Sequence, residues 1–548
     1  MATKKQKKKA INTAKKVAKK NPTILIVVLV LILLIGGIGS ALYFSGALDK
    51  WIKKTEEPTQ TTLPEGSYGT GNNGGGNAAQ NPAPESTSQL PSATSIIPTL
   101  SSSNTSVISS SLLGTSIIPS LSSSNSSIIP ATSTSSHNEA TSIEHTHSED
   151  GIVEDIVYDN FQIHFLELGN KYTGDSTYIK AGNTDILIDA GSRGNSATSI
   201  VNYVKQYCTD GVLEYVISTH NHQDHIAGFA GTSDNKAKNY KGEKVSKTGV
   251  LYYFDVETFI DFTYARVSIK DENGKDKDVN FDNKSQVSSN FGSATEYGKY
   301  LAAREYAISK GTTWYTAKEL WDSNNTTFTL ADGITMDILY NYYYFNETTD
   351  TNDYSVCSLF NYNEKHFLLT GDLEEEGETK LTEYYGGSTQ AKTLPHCTLF
   401  KGGHHGSCTA SNEVLLSKIT PEICCVCCCA GATEYTANSN TQFPSQAFIN
   451  RIAKYTSRVY VTSMFDEENK TNVSMNGNIV VSFNGTVVGL KATNNLTRLK
   501  DTTWFNAEIY VDSSGNNVSK KGSEEFFTAE TAGVTKVKRR TWPEDGVQ

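Results

Sequence analysis

The chain has 548 residues and a formal net charge of −11, length enough for several domains. The balance is uneven: nine lysines and no acid stand between Met1 and Lys20, so the remainder is more acidic than the whole. Such a surface argues against gripping a long polyanion by charge alone.

After the basic tail, residues 1–22, an apolar run from Thr23 to about Leu48 is long enough to span a bilayer as a helix, which takes roughly 20 residues. A cleaved signal peptide would use a shorter apolar stretch of about 7 to 15 residues. We therefore expect a transmembrane anchor over 23–48, with the lysines cytoplasmic and everything beyond facing outward.

Residues 49–155 are rich in Ser, Thr, Asn, Gly and Pro and repeat themselves: "TSIIPTLSSSNTS" at 94 returns as "TSIIPSLSSSNSS" at 115. This composition buries too little apolar area to offset chain entropy, and it reads as a disordered stalk.

Ordered patterning begins near Phe161. "FQIHFLEL", "STYIKAG" and "TDILIDAG" read as strands, Ile200, Val201, Val204 and Tyr207 form a helical stripe, and "LEYVIS" is a further strand. "VLYYFDVETFIDF" is strand-like, and Tyr297, Leu301, Ala302 and Tyr306 define a helix face. "FTLADGITMDILY" and "YSVCSLFNYNEKHFLLTGD" read as a strand pair and a hairpin. A helix capped by Ser411, the strand "ICCVCCC", a helix over Ala447–Lys454 and the closing strands "GNIVVSF" and "GTVVGLKA" follow. The folded domain is expected over 156–493. Residues 494–548 read as an appendage with strand character around Trp504–Val511 and a solvated basic end at Lys536–Arg540.

Five of the nine cysteines lie in "CCVCCC" at 424–429. Neighbouring strand side chains point to opposite faces, so this run suits neither paired bridges nor a zinc knuckle, and the thiols are expected buried and free.

The chemistry concentrates in "STHNHQDHIAG". His220 and His222, two apart in an extended loop, face the same way and can share one metal ion, while Asp224 and His225 can begin a second site. A dinuclear site needs a bridging carboxylate and another histidine. Asp372 fits the bridge, at the edge of the strand ending "FLLTGD", and "GGHHGS" supplies His404 and His405 beside glycines that permit close approach.

"LIDAG", "STHNHQDHIAG", "FLLTGD" and "KGGHHGS", in this order, resemble the metallo-β-lactamase superfamily, most nearly the hydrolase domain of ComEC-like competence proteins. The resemblance covers about 160–492. It implies an α/β fold, a four-layer αββα sandwich with two divalent metal ions, Zn²⁺ or Mn²⁺, at one sheet edge. It implies that His220 and His222 hold one ion, that Asp224, His225 and His405 hold the other, and that Asp372 bridges. His404 would then lie beside the substrate's phosphoryl group, with Glu374 as a supporting or substrate contact.

Two departures stand out. No histidine occurs between His225 and His366, where many members have one; the ComEC-like branch has an asparagine there, matched by Asn352. The branch's late His-Pro is replaced by Phe443–Pro444.

The implied activity is two-metal hydrolysis of a phosphodiester, with Asp224 in the catalytic loop and Ser407, Thr409 and Ser411 donating hydrogen bonds to phosphate. Tyr342 to Tyr344 are read as packing rather than as a base-stacking platform. Nucleic acid is one candidate substrate, and a choline-phosphate or teichoic-acid-type envelope ester is another. A third reading is a surface adhesin that binds without catalysis. No protein partner is expected.

Overall fold

The computed structural model describes residues 151–270, 276–280, 295–387, 393–518 and 533–548. The expected tail (1–22), anchor (23–48) and nearly all of the stalk (49–155) lie outside them. Among the described residues no helix is long and apolar enough to cross a membrane. Residues 151–432 and 438–548 belong to one unit, built as two stacked sheets between helices.

Alternation along single strands explains the layers. In Phe161–Phe165, Phe161 packs its ring on Phe360 and Phe367 of a second sheet, at 6.1 and 5.0 Å, while His164 turns the other way onto Tyr203 and Tyr207. In Ile423–Ala430, Cys425 and Cys427 join the core between the sheets, whereas Cys424, Val426 and Cys428 join a core under Leu381, Leu415 and Phe448 of the covering helices. A period of two on each strand thus yields helices, sheet, sheet, helices. All nine cysteines are free, and the five of the cluster are buried.

The first sheet has nine strands, in the order Ile152–Glu154, Val488–Ala492, Ile479–Phe483, Phe161–Phe165, Thr177–Ala181, Thr184–Ile188, Val212–Ile217, Asp255–Asp261 and Thr313–Thr316. The last four run parallel to one another. The second has eight, in chain order from Thr327–Ala331 to Thr471–Ser474. Its strands Lys365–Leu369, Leu399–Lys401, Ile423–Ala430 and Val459–Asp466 are parallel. Parallel strands place their C-terminal ends at one edge, where loops gather and α/β proteins build sites.

Several expectations change in detail. "VLYY" is a helical turn, Val250–Tyr253, before the strand Asp255–Asp261. Ala302 is exposed, because Tyr297, Tyr300, Leu301, Ala303 and Arg304 face the core of the helix Glu296–Ser309. Tyr207 lies beyond the helix Ser196–Val204, and Trp504 belongs to a short helix, Thr503–Asn506, ahead of the strand Glu508–Val511. The helix Glu413–Ile419 has Asn412, not Ser411, at its N-cap. Ser411 is buried with φ 58°, and its hydroxyl instead accepts the Gly403 N–H at 3.0 Å.

The segment 494–548, expected as an appendage, packs into the domain. Leu499, Trp504 and Phe505 join the core beneath the second helix layer. Arg540, expected in a solvated end, is buried and donates to the carbonyls of Gln442 and Pro444 at 2.7 and 2.8 Å. Planar guanidinium donors can satisfy such clustered carbonyls where an ammonium could not reach both.

Candidate active site

Four parallel strands deliver the site. Thr184–Ile188 ends at Asp189, Val212–Ile217 runs into 218–225, Lys365–Leu369 ends before Asp372, and Leu399–Lys401 leads into His404 and His405. Each loop is short, so the strand ends fix the side chains closely.

In the first loop, Nε2 of His220 and Nδ1 of His222 face each other at 3.0 Å. His222 holds its other nitrogen against Thr351 Oγ1 at 2.6 Å, which sets the ring's orientation. His225 lies in the first turn of the helix Gln223–Ala230. Its Nδ1 donates to Asp189 Oδ2 at 2.7 Å, and its Nε2 lies 3.0 Å from Asp372 Oδ2. Asp189, in the αL region at φ 58°, also accepts the N–H and the hydroxyl of Thr219.

His405 completes the group. Its Nε2 is 3.3 Å from both Asp224 Oδ2 and Asp372 Oδ2, and its Nδ1 donates to the Cys427 carbonyl at 2.9 Å. His404 and His405 both occupy left-handed backbone, at φ 45° and 55°, a conformation that costs roughly 1 kcal/mol or more per residue. The two adjacent rings stand at 65° to each other, both with Nε2 towards Asp372 Oδ2. His404 Nδ1 meets Glu374 Oε1 at 2.7 Å, and its Nε2 reaches within 3.8 Å of Asp372 Oδ2.

The electrostatics divide the histidines. Burial, then the neighbouring imidazoles, pushes His220 well below the ordinary histidine range, which keeps a nitrogen lone pair free. Burial alone would do the same to His225 and His405, but Asp372, with Asp189 or Asp175, raises both well above it. The carboxyl of Asp372, which burial alone would raise, is held well below its range by His225, His405 and His404.

His405 Nε2, which faces Asp224 and Asp372, is buried with no hydrogen-bond partner. Buried polar atoms are rarely left so. Asp175, His225, Asp372 and His405 offer ligand atoms within 4.8 Å of one another. Nitrogen and carboxylate donors of this kind suit Zn²⁺ or Mn²⁺, so the residues present fit divalent metal. Asp175 and Asp189 were not singled out from sequence as site residues. The signal available for Asp189 was its place in "LIDAG" at a strand end, and for Asp175 only a polar turn, "TGDST".

The remaining expected residues surround this centre. Asn352 is buried; its amide donates to Glu374 Oε1 at 3.2 Å and its oxygen has no hydrogen-bond partner. Ser407 is buried and bonds Thr409 Oγ1 at 2.8 Å, while the exposed Thr409 donates to Glu374 at 2.6 Å. Ser411 supports the Gly403 backbone instead of facing outward. Phe443, in the place of the branch's histidine, packs on the rings of His404 and His405 at 5.6 and 5.9 Å. Of Tyr342 to Tyr344, only Tyr342 is exposed, in keeping with packing.

Residues 169–244, which contain the His220–His225 cluster, match the family profile described as "Metallo-beta-lactamase superfamily". Over 85 residues the chain is 36% identical to the competence protein ComA of Neisseria gonorrhoeae. The chain is thus similar to the metallo-β-lactamase superfamily over residues 169–244 and to a competence protein over 85 residues. The ComA match spans 16% of this chain and 10% of that protein's length. Solved structures similar to the metallo-β-lactamase domain include the metallo-β-lactamase fold protein YhfI from Bacillus subtilis, 8% identical with TM-score 0.29, covering 55% of this chain and 96% of that one. A probable metal-dependent hydrolase from Staphylococcus aureus is 13% identical with TM-score 0.23, covering 62% and 100%. Metallo-β-lactamase-fold proteins are generally metal-dependent hydrolases, and this domain has the donor set for divalent metal.

Proposed function

We propose that the chain is a membrane-anchored, outward-facing phosphodiesterase that works with two divalent ions. The observation that carries this reading is the convergence of His225 and His405 on one oxygen of Asp372, at 3.0 and 3.3 Å, with His220 and His222 paired beside them.

His220 and His222 would hold one ion, Asp224, His225 and His405 the other, with Asp372 between them. Asn352, whose side-chain oxygen is buried without a partner, stands where a further histidine is absent. Such ions, when bound, supply Lewis acidity and lower the pKa of water, here for in-line attack at phosphorus.

The chain's own contribution is proton delivery and orientation. As the new P–O bond forms, the bond to the leaving oxygen breaks, and His404 Nε2 passes a proton to that oxygen. Glu374 fixes the imidazole by accepting from Nδ1, and Thr409 and Asn352 in turn fix Glu374. Burial alone would lower the His404 pKa, but Asp372 and Glu374 raise it, which suits a proton donor.

A second reading has a specific support. Asp350 and Asp353 stand near Glu374, and burial with its charge raises Asp350 to about 7. In its charged form the partly exposed Asp350 would suit an ester with a cationic group, such as a choline phosphate or an aminoacylated envelope polymer. Loading the purified chain with Zn²⁺ or Mn²⁺ and assaying single-stranded DNA, bis-p-nitrophenyl phosphate and p-nitrophenyl phosphorylcholine separates the two. Turnover of the diesters supports the first reading and turnover of the choline ester alone supports the second. No turnover with ions bound leaves a binding protein.

A further inference from the structure

Behind the expected ligands lies a charge pair that the reaction above does not use. Asp175 sits in the turn before Thr177–Ala181, and Lys401 closes Leu399–Lys401; both are buried, at 1% and 3% exposure. Their charged atoms stand 2.5 Å apart.

The pair reaches several ligands at once. Asp175 lies 3.3 Å from His405 Nδ1 and 3.9 Å from His225 Nδ1. Lys401 donates to the Gly371 and Gly402 carbonyls at 3.2 and 3.4 Å and lies 4.0 Å from Asp372 Oδ1. Oδ1 has no hydrogen-bond partner, while Oδ2 meets the two histidines.

A buried ammonium this close to a metal-binding carboxylate opposes the arrival of cations, unless a second carboxylate offsets it. The geometry points to a positioning pair: Lys401 draws Asp372 Oδ1 aside so that Oδ2 alone faces both metal positions, and Asp175 cancels the lysine's charge. Asp175 also approaches the Nδ1 side of His405, away from the Nε2 that faces Asp224 and Asp372. This inference rests on the two-metal reading.

The test is calorimetric titration of Zn²⁺ into the chelator-stripped full chain, with the absorption spectrum of the Co²⁺-loaded form as a second readout. Asp175→Asn leaves Lys401 unbalanced and should weaken binding by about 10- to 100-fold, the usual effect of losing a partner behind a ligand. The double variant Asp175→Asn/Lys401→Met removes both charges and should regain most of that loss, since paired charges are strongly non-additive. Its cobalt spectrum should still differ from wild type, because Asp372 Oδ1 has lost its neighbour.

A double variant no tighter than Asp175→Asn, or one with a wild-type cobalt spectrum, overturns the inference. Should Asp175→Asn not fold, the double variant decides: it must fold and bind both ions, and failure in either respect overturns the pair. Wild-type protein that binds fewer than two ions removes the two-metal reading itself, a result distinct from either.

Discussion

His225 Nε2 and Asp372 Oδ2 stand 3.0 Å apart across 147 residues of chain. They follow strands of different sheets, so the contact exists only when the two sheets pack. Replacing Asp372 with Asn removes the charge that both histidines share. The variant should lose at least one ion by elemental analysis and lose its hydrolytic activity, while the sheet core keeps the chain folded.

Asp189 acts on the same histidine from the other side. Its carboxylate holds His225 Nδ1 at 2.7 Å, which presents Nε2 to the centre. Asp189→Asn should weaken metal binding by about 10- to 100-fold, measured by competition with a chromophoric chelator. Unchanged affinity would mean that the ring is held by Thr219 alone.

His404 is read as the proton donor, so its loss should depend on the leaving group. With a dialkyl or nucleotide ester His404→Ala should lower kcat by about 10² to 10⁴. With a p-nitrophenyl ester, which leaves without a proton, the loss should be small. Metal content should not change, since His404 is not in the proposed ligand set: its Nδ1 is held by Glu374 and its Nε2 stands 3.8 Å from Asp372.

Gly191 passes directly beneath the histidine loop. A Cβ there would fall 1.4 Å from the Asp224 carbonyl oxygen, a contact that only a backbone shift relieves. Gly191→Ala should therefore displace Asp224 and His225 together. The expected result is a chain with a lowered melting temperature and impaired metal binding.

The acid limb of stability should carry the signature of His164. Fully buried and bonded to Tyr203 and Gln162, it has its pKa pushed down to about 3, first by burial and then by Lys180. The unfolded chain takes up a proton below about 6.5 that the folded chain refuses. His164 therefore lends full stability above that pH and loses it as the pH falls from 6.5 towards 3, by about 1.4 kcal/mol per unit. Urea unfolding of His164→Phe across this window should show a shallower slope than wild type.

Local pattern carried much of the site. "STHNHQDHIAG" displays alternate histidines and an Asp-His pair because loop geometry, not packing, decides which way neighbouring side chains point. Period-two alternation likewise foretold that neighbours in the cysteine run face opposite layers, as Cys424 and Cys425 do. Ser411 shows the opposite case: a helix cap looked right by residue type, but the Gly403 loop, close in space, claimed its hydroxyl.

Arg540 and Trp504 were invisible as core residues, since nothing near them in sequence marks the carbonyls and helices they cover. Asp175 and Lys401 were equally silent. A buried ion pair is defined by two residues far apart in the chain and by the exclusion of water around them, and both arise only when the strand ends meet. The histidines and carboxylates of the proposed site were thus legible one segment at a time, whereas the pairing of Asp372 with His225, and the charge balance behind it, came from the packing of two sheets.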